Sequence, residues 1–363
     1  MKRTAIVILS AGLLSACCSG PDIFKKHSRF LTEPYGYVAQ KAVGEIKLDG
    51  VLDEADWCEA PYTEYFADIS GEGFPEPRFR TRAKMLWDDN YLYVGAELEE
   101  PCIWANLTKR DTVVYYDNDF EVFIDPDGDG QNYFEIELNA RENVFDLFVQ
   151  KPYRARTRAF VTFSWDAPGT IIRTHLDGTL NNPSDVDRGW TVEMAIPREA
   201  IAAEFDNYLK AGNWLRVGFS RVEWHTEVLE GGRIERKKGA DGKYLPEDNW
   251  TWPSTGMIAM HMPERWGYVY LSDKKGEAFR YPESRPVERL LWAMFYEQEE
   301  SKSVSGAYLK MVGDFNIPKA ELDKLSKGSK IIVEATTETF QISVKAADGS
   351  SISIDQNGYL CRK

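Results

Sequence analysis

The sequence predicts a mainly β protein: an antiparallel β-sandwich followed by a C-terminal helix-plus-β-meander extension. Three observations predict it. Short runs of alternating polarity recur along the chain, turn-forming residues punctuate them, and helical patterns are few and short up to about residue 273. Residues 117–146, DNDFEVFIDPDGDGQNYFEIELNARENVFD, are the most informative. In 120–125, Phe120, Val122 and Ile124 share one face, and Glu121 and Phe123 the other. Asp125-Pro126-Asp127-Gly128-Asp129-Gly130 is dense in turn formers. Residues 133–139 alternate again, with Phe134, Ile136 and Leu138 on one face and Tyr133, Glu135 and Glu137 on the other. Residues 143–149 complete a meander. One face is oily; the other presents carboxylates and aromatic rings, and function in this domain is expected there.

The chain has 363 residues and is 43% hydrophobic, enough for a large core and two domains. A net charge of −14 argues against a nucleic-acid partner, which needs a basic footprint. The 11 Trp, 18 Tyr and 18 Phe suit a sandwich whose rings fill the core and stack on flat ligands. Rossmann and P-loop glycine fingerprints are missing.

The N-terminus reads as a secretion signal. Lys2 and Arg3 precede a short apolar run over 5–14, too short for a structural membrane span. Leu14-Ser15-Ala16-Cys17 resembles the bacterial lipobox, which makes Cys17 the lipidated first residue of the mature chain. The expectation is a cell-envelope lipoprotein held by its lipid alone, on the outer membrane and facing the periplasm or the exterior. The expected organisation is a signal peptide over 1–17, a tether over 18–38, a sandwich over 39–273, a linker over 274–285 and an α+β extension over 286–363. Cys58, Cys102 and Cys361 remain, without metal-ligand spacing. In an oxidising compartment Cys58 and Cys102 could pair as a disulfide or stay single.

Taken in order, 45–48 reads as a short strand and 52–57 as a capped helical turn whose Trp57 plugs the core. Residues 81–86 and 91–97 are strands joined by the turn Trp87-Asp88-Asp89-Asn90. After the meander come a basic patch with Arg154, Arg156 and Arg158, strand pieces over 160–165 and 170–174, and a strand over 189–196 stopped by Pro197. A short helix over 198–205 leads to a strand over 214–224, an exposed loop over 227–247 and a closing strand over 265–271. In the tail, Leu290, Leu291, Met294 and Phe295 mark a helix over 286–300. A second helix over 319–326 precedes strands over 330–334, 340–345, 351–355 and 359–362. Packing of this tail on the sandwich is the favoured reading.

Three blocks carry a family resemblance. They are Ile46-Lys47-Leu48-Asp49-Gly50 with Leu52-Asp53-Glu54 and Trp57; residues 83–89 with Tyr91-Leu92-Tyr93-Val94; and Asp117-Asn118-Asp119-Phe120-Glu121-Val122-Phe123-Ile124-Asp125. Residues 190–197 and 263–269 are weaker echoes. Together they resemble the family 9-like carbohydrate-binding modules, jelly-roll-type sandwiches of the DOMON-like group. The resemblance implies a terminal sugar gripped between two aromatic rings, with polar side chains on its hydroxyls. A pyranose offers an apolar C–H face to a ring and needs directed hydrogen bonds at its hydroxyls. Carried over, one ring falls at Tyr115 or Tyr116 and the other at Trp250 or Trp252. The strand carboxylate is Glu121, and Asn249 is the polar neighbour of the second ring. Glu135 stands where sugar-binding members carry an arginine. Trp224, at a strand end, suits ligand contact and edge packing equally.

The implied partners are an oligo- or polysaccharide and glycan-degrading enzymes. Cofactors are expected to be none, with structural Ca²⁺ left open because the family holds it. Asp125, Asp127 and Asp129 start like an EF-hand loop, but Ile136 occupies the twelfth position, so a plain hairpin turn is preferred. Two further classes compete with a non-catalytic module. Glu121, Glu135 and Glu137 could serve a glycoside hydrolase, which needs two carboxyls about 5–10 Å apart. Met257, Met260, His261 and Met262 raise haem binding, against which stands the absence of an attachment motif. A structural or protein-binding lipoprotein is the remaining alternative.

Overall fold

The structure, a computed structural model, describes residues 21–155, 160–202 and 208–363. The signal peptide, Cys17 and residues 18–20 lie outside the described residues, as do Arg156, Arg158 and the end of the helix expected over 198–205.

Helix α1 (Ile23–Lys26) precedes strand β1 (Gly36–Lys41) and helix α2 (Ala55–Glu59). Strands β2 (Ala67–Asp68), β3 (Thr81–Trp87), β4 (Tyr91–Glu99), β5 (Asp119–Asp125), β6 (Tyr133–Asn139), β7 (Val144–Val149), β8 (Val161–Thr162) and β9 (Ile171–Asp177) follow. Next come β10 (Gly189–Pro197), β11 (Trp214–Glu223), the hairpin β12 (Thr226–Val228) and β13 (Ile234–Arg236), β14 (Asp248–Trp252) and β15 (Gly267–Ser272). The tail holds α3 (Arg285–Ser305), α4 (Lys319–Ser326) and the meander β16 (Lys330–Ala335), β17 (Phe340–Lys345), β18 (Ser351–Asp355) and β19 (Leu360–Arg362).

Thirteen strands form one curled sheet in the order β8-β7-β6-β5-β11-β15-β1-β3-β4-β10-β9, with β14 joining β11 to β2. Strand β1 runs parallel to both β15 and β3, and the other pairings are antiparallel. Folding the sheet over on itself closes one core. Phe120, Val122, Ile124, Ile136, Leu138 and Phe219 of one layer meet Met85, Val94, Val192 and Met194 of the other. Strand β11 is the pivot. One edge pairs with β5, and the other pairs first with β15 and then with β14. Because side chains alternate along a strand, sending Phe120 and Val122 inward sends Asp119, Glu121 and Phe123 outward.

In the tail, Leu290, Leu291, Met294 and Phe295 of α3 build a second core with Ile342, Val344, Ile354 and Leu360 of the meander. Ile23 and Leu31 are buried in that same core. The stretch 22–38, expected as tether, is therefore folded where it is described. Its apolar residues insert against α3, and Arg265 donates to the carbonyls of Phe30 and Thr32 at 2.9 and 2.7 Å.

Two further expectations are corrected, and of the two alternatives left open for Cys58 and Cys102 the structure has the single thiols. Residues 45–48 form no strand, and the Lys47 amide donates to the Glu54 carboxylate instead. Cys58 and Cys102 are both free. Cys58 sits exposed on α2, whereas Cys102 packs beside Trp104 and Trp224, so the fold keeps them apart. The exposed loop expected over 227–247 contains the β12–β13 hairpin, and the stretch after it is strand β14.

Candidate functional site

Cross-strand register assembles the outward face of β11, β5 and β6 into rows. Glu121 lies between Ser220 and Glu137, and Phe123 lies between Gly218 and Glu135. Asp119 is opposite Asn139, and Thr251 of β14 extends the Glu121 row beyond Ser220. Directly opposed residues on a sheet have Cβ atoms about 4.5–5.5 Å apart, so four carboxyl groups crowd into adjacent places. Gly218 makes room for a covering ring: a Cβ there would sit 2.5 Å from Trp266 Cδ1. Trp266 in turn packs on Phe123 and Tyr133, with ring centroids 5.5 and 5.1 Å away.

The crowded carboxyl groups are buried. Asp119 is 0% exposed, Glu121 6%, Glu135 4% and Glu137 4%. Among the described residues, Lys and Arg side chains leave all four unpaired; a ring nitrogen of His261 lies 3.8 Å from Glu135 Oε2. Burial drives the His261 pKa down to about 3, so the imidazole is neutral and supplies no countercharge. Its other ring nitrogen shares a 2.9 Å hydrogen bond with the Tyr133 hydroxyl. Burial, with little relief, raises the Glu121 carboxyl to about 7. Burial and then the Glu121 charge raise Glu135 to about 8. The same burial, reinforced by their acidic neighbours, lifts Asp119 and Glu137 well above the carboxylate range. Five polar atoms on this face are buried without a hydrogen-bond partner: Asp119 Oδ2, Glu135 Oε2, Glu137 Oε2, Ser220 Oγ and Thr251 Oγ1. Folded chains rarely strand so many donors and acceptors in one place.

Aromatic rings stand at both ends of the face. At one end, Tyr115 and Tyr116 have centroids 4.6 Å apart on the turn before β5. Tyr116 is exposed. The hydrogen bond with Tyr116 and then burial raise the Tyr115 hydroxyl to about 12, with Glu247 and Glu137 adding to it. At the other end, Tyr153 is half exposed and lies against His261 at 3.9 Å between centroids. Burial, then Glu135 and Glu137, raise its hydroxyl to about 12 as well. Both ends thus sit within electrostatic reach of Glu137.

The structure gathers Glu121, Glu135, Tyr115 and Tyr116 on this face and leaves Asn249 half-buried at its edge, opposite Val222. Trp224 is near but covered. Its indole donates to the Tyr115 carbonyl at 2.7 Å, and the Arg236 guanidinium lies 4.6 Å from its ring. Trp250 and Trp252 point the opposite way, into the core, and are 2% and 0% exposed. The expectation of a clamp ring at either is corrected: because β14 pairs with β11, the alternate residues Trp250 and Trp252 share the inward face with Phe219. Trp252 fills the notch over Gly267 and donates to Glu64 at 2.8 Å. Sequence reasoning missed Asp119, Ser220, Thr251 and Tyr153 as members of the site. Asp119 shares an alternation pattern with Glu121, which was the available signal. Tyr153 and Thr251 arrive from distant segments and had none. Of the sulfur and imidazole groups that raised haem, Met262 is buried and Met257 exposed, while His261 is engaged by Tyr133.

The Asp125–Gly130 turn is self-satisfied. Asp125 accepts from the amides of Gly128 and Gly130, both at 2.9 Å, and Asp129 from that of Gln131 at 2.7 Å.

Residues 48–223 match the family described as Carbohydrate family 9 binding domain-like. Among curated proteins, an exoglucanase, XynX, of Acetivibrio thermocellus is 42% identical over 55 residues, which are 15% of this chain. The match spans only 5% of that protein's length. Among solved structures, a family 9 carbohydrate-binding module from Caldicellulosiruptor kristjanssonii in complex with cellotriose is 15% identical, with a TM-score of 0.39. The alignment covers 69% of this chain and 100% of that one. A carbohydrate-binding protein from Bacteroides uniformis, so described in provisional terms, is 14% identical with a TM-score of 0.46, over 66% of this chain and 100% of that one.

Proposed function

We propose that this chain, whose residues 48–223 form a carbohydrate family 9 binding domain-like unit, captures carbohydrate on the outward face of β5, β6 and β11. The family match carries the reading. The site supports it: tyrosine rings at the two ends suit the apolar faces of sugar rings, and orphaned carboxyl and hydroxyl oxygens between them suit sugar hydroxyls. The rings offered are Tyr116 and Tyr153, in place of the Tyr and Trp pair that the resemblance implies. The lipobox-like Leu14-Ser15-Ala16-Cys17 supports attachment to the cell envelope by a lipid, where the protein would hold glycan for partner enzymes. Hydrolysis is the weaker reading. It needs one ionised carboxylate beside one protonated acid, whereas burial raises all four carboxyls here.

Calorimetry of the purified chain against a panel of oligosaccharides tests the reading. Saturable binding that Tyr116→Ala and Tyr153→Ala each weaken, with folding intact, supports it. A folded chain that binds no glycan overturns it.

A further inference from the structure

We propose that the cavity between the sandwich and the tail binds a small ring-bearing carboxylic acid, with Arg216 holding the carboxylate. The cavity has a volume of about 270 Å³. That is room for one ring-sized guest, a little under the roughly 300–1,000 Å³ of drug-sized pockets, which favour such places between structural units. Strand β11 supplies Arg216, the turn after β5 supplies Asp127, and the tail supplies Ser284, Glu288 and Arg362.

Arg216 reaches the cavity by alternation. Leu215 and Val217 enter the core, so Arg216 stands on the outward face, between Asp125 and Tyr268 in register. Gly218 and its covering Trp266 separate it along β11 from Ser220 and the face proposed for glycan. Arg216 is only 6% exposed. Its guanidinium lies 3.7 Å from the centroid of the Tyr268 ring. Its Nη2 donates to the carbonyls of Glu264 and Trp266 at 2.7 and 2.5 Å. Its Nε is buried without an acceptor.

The other buried arginines are better provided for. Arg221 pairs with Glu100 and Glu223, and Arg285 with Glu33 at 3.0 Å. Arg265 has no carboxylate but bonds to oxygens through all three of its nitrogens. Among the described residues, Arg216 is the one buried arginine with neither provision. The acids near it are spent elsewhere. Asp125 accepts the amides of Gly128 and Gly130. Glu288 accepts from Tyr268 and Ser284, both at 2.7 Å, and from Arg362 at 2.9 Å. A buried cation with an open donor calls for an anion, and the planar guanidinium matches a carboxylate.

The walls select the rest of the guest. Trp214, Tyr208, Pro126 and Pro282 make the lining mostly apolar, which suits the flat face of a ring better than a bare ion. A sugar acid and an aromatic acid share this chemistry, and separate probes distinguish them. The inference is independent of the glycan reading, because Arg216 and the tail residues take no part in that site.

The experiment titrates the full chain by calorimetry with glucuronate, benzoate and inorganic phosphate. One acid per chain is expected: glucuronate if the source is a sugar, benzoate if it is an aromatic. Phosphate, which lacks the ring, should bind more weakly. Arg216→Lys keeps a charge but loses the fork, and should weaken the acid at least about 10-fold. Asp127→Asn removes a carboxylate from the wall and should tighten the acid about twofold or more. Near-UV circular dichroism confirms that each variant is folded; should Arg216→Lys fail to fold, the sign of the Asp127→Asn change still decides. A folded wild-type chain that binds neither acid overturns the proposal. So does phosphate bound as tightly as the acid, or an Asp127→Asn chain that binds the acid no tighter. Binding lost in Tyr116→Ala but kept in Arg216→Lys would also overturn it, by putting the acid on the glycan face. Acid binding without any glycan binding leaves this inference standing and defeats only the glycan reading.

Discussion

Arg221 is fully buried and shared between two buried carboxyls, Glu223 at 2.8 Å and Glu100 at 3.4 Å. One guanidinium neutralises one carboxylate, so the second is better off protonated. Burial is the main cause that lifts both groups; Arg221 opposes it, and Glu223 ends at about 8. The folded chain therefore keeps a proton that the unfolded chain gives up near pH 4. That stability is complete below the unfolded pKa and is lost as the pH climbs through about 8, at up to about 1.4 kcal/mol per unit. Urea midpoints should fall for the wild type between about pH 5.5 and about pH 8.5, and Glu223→Gln should flatten that fall. An equal slope in the variant would count against this assignment. Ring variants separate the site from the core at the same scale. Trp252→Ala should cost about 3–5 kcal/mol of stability, because it empties a fully buried volume. Tyr116→Ala, on an exposed ring, should change stability by no more than about 0.5 kcal/mol yet weaken glycan about tenfold. If Trp252→Phe abolished binding in a folded chain, a ligand role for that ring would have to be restored.

At the scale of elements, Gly218 decides whether β11 can carry its covering ring. A methyl at this position would collide with Trp266, so Gly218→Ala should cost about 1–3 kcal/mol and shift the Trp266 fluorescence, read by urea denaturation followed at the indole. An unperturbed spectrum would mean that the ring is not seated on this face. The same strands show what was legible beforehand. Alternation, with turn formers bounding the runs, located β6, β16, β17 and β18 to within a residue. It also placed Glu121, Glu135 and Glu137 on one side of the sheet. It did not find β1, whose pairing is parallel and settled by distant β15 and β3. Strand β14 failed for a related reason. Its Trp250-Thr251-Trp252 follows a Gly- and Lys-rich stretch and reads as a loop until β11 supplies an edge for it. That single misreading turned two core tryptophans into clamp rings. Site members that depend on register, such as Ser220 and Thr251 beside Glu121, become visible only when strands far apart in the chain are laid side by side.

Over the whole molecule, the tail is tied to the site. The Arg154 guanidinium lies over the rings of Trp292 and Phe295 of α3, at 5.3 and 5.5 Å, and bonds Glu264 at 2.8 Å. Glu264 also accepts the Tyr296 hydroxyl at 2.6 Å. Arg154 follows Tyr153, and Glu264 lies three residues beyond His261, so α3 grips both segments that form one end of the site. Glu288 fastens the same helix to the sandwich, accepting from Tyr268 at 2.7 Å and pairing with Arg362 at 2.9 Å. With these links buried between the two cores, calorimetric unfolding should show one transition. Trp292→Ala should lower its midpoint by removing a buried ring, at about 3–5 kcal/mol. It should also weaken glycan binding at a temperature where the variant is folded, although Trp292 lies in the tail core with its ring against Arg154, because Tyr153 loses the neighbour that holds its segment in place. Trp292→Phe keeps a ring under Arg154 and should restore most of the affinity. Two separate transitions, or an unchanged affinity in folded Trp292→Ala, would make the tail an independent module with no part in shaping the site.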